Sequence, residues 1–105
     1  MIMSDRDFSR FIEQHHFVPC IEHSIRETGM SSKVDAFSNG EILVRVVVDR
    51  GQKFIDLAKA TGATWSDVFT LASKVDHAFQ AKTGSFSEAT KVLEKYWPAL
   101  AGSLK

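Results

Sequence analysis

The stretch Glu41-Ile42-Leu43-Val44-Arg45-Val46-Val47-Val48 constrains the fold more than any other part of the chain. It is rich in β-branched residues, which suit a pleated surface better than a helix. Apolar residues stand at both parities, so the run predicts a strand near the centre of a sheet. Asp49-Arg50-Gly51-Gln52 then reads as a turn and Lys53–Ala58 as the next strand. With Arg50-Gly51 as a two-residue loop, Asp49 faces Gln52, Val47 faces Phe54, Val46 faces Ile55, Arg45 faces Asp56 and Val44 faces Leu57. One face then carries Val44, Val46, Ile55 and Leu57. The other carries Leu43, Arg45, Val47, Phe54 and Asp56, with the two opposite charges directly paired. A slip of one residue would destroy both properties. Upstream, Lys33–Ser38 reads as a further strand. Asn39-Gly40 joins it to the central run, because that dipeptide tolerates positive φ at both positions of a tight hairpin loop.

Helical patterns flank these strands. Ser4, with Asp7 three residues on, predicts a helix start; Phe8, Phe11, Ile12 and His15 fall on one face, and the helix ends near His16. Thr64 before Trp65-Ser66-Asp67 predicts a second start, with Val68, Leu71, Ala72, Val75 and Phe79 as the apolar stripe. This stripe is the natural cover for Val44, Val46, Ile55 and Leu57. Lys82-Thr83-Gly84 is a loop, and Ser85 with Glu88 forms a capping box. Phe86, Ala89, Val92, Leu93 and Tyr96 line the helix that follows, and Pro98 predicts its end or a kink at Trp97. Residues 17–30 admit two readings. Phe17, Ile21 and Ile25 recur at helical spacing from Pro19 to a stop at Gly29, while Phe17-Val18-Pro19-Cys20-Ile21 also suits an edge strand. The expected architecture is a single α+β domain over residues 1–105, a three-stranded antiparallel meander packed against about three helices.

Composition narrows the function classes. The chain has 105 residues, 44% of them apolar and 25% charged, which suits one globular domain and excludes a disordered or collagen-like chain. Thirteen basic and thirteen acidic residues cancel, so no net field draws in nucleic acid or anionic lipid, and neither partner is expected. The N-terminal residues have no signal-peptide pattern, and the longest apolar run is far shorter than a membrane span. The single cysteine, Cys20, fits a reducing compartment, and a cytoplasmic location is the expectation.

Chemistry-bearing residues are few. His15, His16, Cys20 and His23 cluster within nine residues, and Cys20-x-x-His23 is a spacing zinc can use. The second half of a four-ligand site is missing. Cys20 has no oxyanion-hole turn around it, and no Gly-rich phosphate loop occurs. No catalytic residue, metal or cofactor is therefore expected. The second sheet face is the remaining feature. Leu43, Val47 and Phe54 surround Arg45 and Asp56 beside the Asp49–Gln52 turn, a composition suited to a protein interface. The alternative is that the first helix, through Phe8, Phe11 and Ile12, covers this face. Trp65 and Trp97, each near a helix end, serve equally as core caps or as partner anchors.

The stretch 34–72 resembles a group of small bacterial proteins. They share a hydrophobic strand, Asp-Arg-Gly-Gln, a Phe/Val-Ile/Val-Asp strand and a Trp-x-Asp helix start. Asp49-Arg50-Gly51-Gln52, Phe54-Ile55-Asp56 and Trp65-Ser66-Asp67 carry the likeness here. Some of these proteins are immunity proteins of contact-dependent or polymorphic toxin systems, which are cytoplasmic inhibitors of one toxin domain. The resemblance implies a non-enzymatic protein-binding module, and Arg45, Asp49, Arg50, Gln52 and Phe54 are the expected contacts. Two alternatives stand beside it. One is a homodimer or larger homo-oligomer that buries the same face. The other is a metal-binding or enzymatic domain using Cys20 with His15, His16 and His23.

Overall fold

The computed structural model describes residues 3–24, 32–62 and 64–104. Its elements run in the order α1 (Met3–Gln14), β1 (Val18–Pro19), a 3-10 turn (Ile21–His23), β2 (Ser32–Ser38), β3 (Ile42–Asp49), β4 (Gln52–Lys59), β5 (Ser66–Asp67), α2 (Val68–Val75) and α3 (Phe86–Leu104). The fold is α+β. The sheet has five antiparallel strands among the described residues, in the order β1-β2-β3-β4-β5. The meander is thus wider than the three strands expected. The added strands are two-residue edges: Val18 and Pro19 pair with Ser38 and Phe37, and Ser66 and Asp67 pair with Leu57 and Asp56. Two residues carry no periodicity, so only pairing reveals them. Within 17–30, the strand reading holds for Val18–Pro19, while the stop expected at Gly29 lies outside the described residues.

The central hairpin has the expected register, from Asp49 opposite Gln52 to Val44 opposite Leu57. Arg50 and Gly51 have φ of 54° and 83°, the double positive φ that a two-residue I′ loop requires. The β2–β3 loop sits one residue later than Asn39-Gly40 suggests. Ser38 pairs with Leu43, which centres the loop on Gly40-Glu41. Asn39 instead stands before the loop, where its Oδ1 accepts from the N–H groups of Glu41 and Ile42, both at 2.9 Å. This local bond is a stronger use of an asparagine than the left-handed backbone it tolerates.

All three helices pack on one face of the sheet. Val44, Ile55 and Leu57 are fully buried there with Phe11, Val68, Leu93 and Leu100. Helix α3 runs against β4 and is flanked by α1 and α2. Helix α1 therefore joins this layer rather than crossing the other face. Phe8 packs at 5.8 Å from Phe37 and 5.6 Å from Phe86, and Phe11 lies 5.1 Å from Trp97.

Two helix boundaries differ from expectation. Helix α2 starts at Val68, capped by Asp67, whose Oδ2 accepts from the N–H of Phe69 at 3.0 Å and of Thr70 at 3.3 Å. Thr64 is too early because Ser66 and Asp67 are held in β5. The helix ends at Val75, and Phe79 reaches the core from the loop, stacked on Phe69 at 6.2 Å. Helix α3 neither ends nor breaks at Trp97-Pro98 but continues to Leu104. A proline inside a helix costs about 3 kcal/mol. Trp97 and the fully buried Leu100 pack into the core on either side of Pro98, and that burial offsets the cost. No helix among the described residues is long and apolar enough to cross a membrane.

The start of α3 is tied to its preceding loop by one carboxylate. Ser85 Oγ accepts from the Glu88 N–H at 3.2 Å, as the capping box requires. Glu88 then reaches further back than Ser85. It accepts from the N–H groups of Lys82, Thr83 and Gly84, each at 2.7 Å, and from the Thr83 hydroxyl. The Lys82 and Thr83 N–H groups, against some burial, hold its carboxyl down to about 2 from an ordinary 4.5. A depressed carboxylate contributes its stability above the ordinary value and loses it as pH falls through the folded one. The amides of residues 82–84 are therefore expected to lose hydrogen-exchange protection between pH 4.5 and 2. In Glu88→Gln that pH dependence should vanish from the loop; an unchanged profile would count against the assignment.

Candidate functional site

Strand parity and register place three rows of side chains on the face opposite the helices. The first row is apolar, with Val34, Val47 and Phe54 directly opposite one another across β2, β3 and β4. Val34 and Val47 are half-buried, and Phe54 is 39% exposed. The next row is Ala36, Arg45, Asp56 and Asp67. The third is Ser38, Leu43 and Ala58, of which Leu43 and Ala58 are buried. The three α-helices pack on the other face. Val18, 60% exposed and paired with Ser38, extends the third row at the β1 edge.

The charged row is internally held. Arg45 Nε donates to Asp56 Oδ2 at 2.9 Å, with only 26% and 17% of the two side chains exposed. The guanidinium also lies over the Trp65 ring, 4.3 Å from its centroid. Stacking and the ion pair together fix the guanidinium in one orientation. Asp67, across from Asp56, has its carboxyl pushed up by burial and by the Asp56 charge, while the N–H groups of Thr70 and Phe69 pull it down. These contacts explain a charged row at the centre of an otherwise apolar face: opposite charges are paired, and the remaining carboxylate caps α2.

The five expected contact residues separate into two roles. Arg45 is committed to Asp56 and Trp65, so it shapes the surface rather than offering a free donor. Asp49, Arg50 and Gln52 are exposed in and beside the β3–β4 turn, and Phe54 is the exposed end of the apolar row. The structure brings the turn and Phe54 together at one end of the face. Val34 belongs to the same row and was not among the expected residues. Alternation in Lys33–Ser38 marks Val34 as facing opposite to Phe37, but only pairing with Val47 joins it to Phe54. Trp65, a candidate anchor or core cap, instead stacks under Arg45, a contact that follows from β5 pairing.

The histidine region does not assemble comparably. The His15 ring lies 4.5 Å from Phe11 and 5.4 Å from Trp97. Burial lowers its pKa, the neighbouring His16 lowers it further, and Glu94 opposes both. His16 is exposed with φ of 62°. Cys20 is half-buried, its N–H donating to the Ala36 carbonyl at 2.8 Å, and His23 lies in the 3-10 turn. Among the described residues, no group of three His, Cys, Asp or Glu side chains converges to hold a metal ion. Comparison with protein-family models, with curated proteins and with solved structures finds no match.

Proposed function

We propose that the chain is a non-enzymatic protein-binding module whose outer sheet face and β3–β4 turn engage one protein partner. An immunity-type inhibitor covering the working surface of a toxin domain would act in this way. The observation that carries the reading is Arg50. An L-residue with a Cβ is disfavoured at φ of 54°, and this turn type prefers asparagine or glycine there. A long cation at a position that suits it poorly is explained if it reaches outward to a partner carboxylate. Phe54 and the Val34–Val47 row supply apolar burial beside it, and the fixed Arg45–Asp56 pair sets register. The partner surface is thus flat and apolar with an acidic group at its edge.

Arg50→Asn separates stability from binding. It places the preferred residue in the loop, so the domain should gain about 0.5–1 kcal/mol while partner affinity falls. The direct test is capture of the partner from the native host's lysate, with Arg50→Ala/Phe54→Ala as the comparison. The double variant should lose the partner by about 100-fold or more. It should unfold at nearly the wild-type temperature, since a half-exposed cross-strand pair contributes less than about 1 kcal/mol. A variant that keeps the partner, or that unfolds, overturns the site. Light scattering that shows a concentration-dependent dimer, lost in the same variant, would identify the partner as a second copy.

A further inference from the structure

We propose that the cleft between the α2–α3 connection and α3 binds a small organic anion, a phosphate, sulfonate or carboxylate carried on a flat apolar ring. The cleft measures about 720 Å³, within the roughly 300–1,000 Å³ of small-molecule sites. Phe79, Val92 and Tyr96 provide its apolar lining, and Lys82, Lys91 and Lys95 its cations. None of these lysines makes an ion pair with a carboxylate among the described residues. Lys91 and Lys95 stand one helical turn apart on α3, where like charges repel; a bound anion would relieve that repulsion.

Two carboxylates share the cleft, and both are already occupied. Glu88 accepts the three loop N–H groups and the Thr83 hydroxyl described above. Asp76 accepts from the Tyr96 hydroxyl at 2.7 Å and from the Ala78 N–H at 3.0 Å. Its carboxyl lies below the usual range, chiefly through the Tyr96 hydroxyl. The carboxylate oxygens are thus turned to loop and phenol donors; the Lys95 charge also lowers the Asp76 carboxyl, but among the described residues none of the three ammonium groups is held in a salt bridge. Lys95 Nζ lies 5.2 Å from the Tyr96 ring centroid, placing a cation beside an aromatic surface. An anionic head among the lysines with its ring against Phe79 and Val92 satisfies both kinds of lining at once.

The proposal is tested by titrating the full chain with 1-naphthyl phosphate and following backbone amides by NMR. The expected result is saturable shifts confined to residues 78–96, with Lys91→Gln/Lys95→Gln weakening the affinity about tenfold while leaving the remaining spectrum in place. Inorganic phosphate and naphthalene-free buffer controls should give weaker or no saturation. Non-saturable shifts at millimolar probe, shifts centred on β3 and β4, or equal affinity in the lysine variant would each overturn it. These outcomes are independent of partner capture through the outer sheet face.

Discussion

Phe11→Ala is expected to remove about 3–5 kcal/mol of unfolding free energy. The ring is fully buried and sits where three parts of the chain meet. Its centroid lies 4.5 Å from His15, 6.0 Å from Phe17 and 5.1 Å from Trp97. Truncation loses the transfer energy of the ring and opens a cavity that rigid aromatic neighbours fill poorly. A domain of this size has about 5–15 kcal/mol in all, so the variant should stand near the threshold of unfolding at 37 °C. Urea denaturation followed by tryptophan fluorescence measures the loss. Phe11→Leu should cost markedly less, because it restores much of the volume. A loss below about 1 kcal/mol for alanine would mean that α1 does not hold the core as described.

The second large effect contrasts two positions on one strand, β3. Val44→Asp places a carboxylate at a fully buried site between the helices and the sheet. No buried partner waits for it, so the charge or its protonation costs at least about 4 kcal/mol and the chain should not fold at neutral pH. Val47→Asp, on the same strand but the opposite face, meets solvent beside Val34 and Phe54. It should fold, with a loss of about 1 kcal/mol or less. Circular dichroism of the two variants decides the matter. Equal damage at both positions would mean that both faces are buried.

That Val44 and Val47 face opposite ways is legible in the sequence, though not which face is covered, and the reason is specific. Two independent properties, aliphatic purity on one face and the Arg45–Asp56 pairing on the other, agree on a single register for β3 and β4. Where one property stood alone, placement slipped. Asn39-Gly40 announced a hairpin, but the asparagine side chain could either sit in the loop or bond to it, and the second option centred the loop on Gly40-Glu41. Thr64, Ser66 and Asp67 can all cap a helix; pairing of Ser66 and Asp67 with β4 selects Asp67. Pro98 reads as a break because sequence shows the cost of the proline and not the packing of Trp97 and Leu100 that offsets it. The site follows the same division. Arg45, Asp56 and Phe54 were readable from one hairpin, whereas Val34 and Trp65 depend on pairings with distant strands. Which helix covers which face was not readable, since an apolar stripe states that a surface is buried and not what lies on it.

The nearest-neighbour order of the five strands has a consequence for assembly. Tight hairpin loops join β2 to β3 and β3 to β4, so the centre of the sheet can form with little closure entropy. The contact between Phe11 and Trp97 joins helices from opposite ends of the chain, and nothing local prepares it. The hairpins should therefore already be present at the folding transition state, with the docking of α1 onto α3 following it. Weakening that late contact would leave the folding rate nearly unchanged and shorten the lifetime of the folded protein, so the α1–α3 seam governs how long the molecule survives once made.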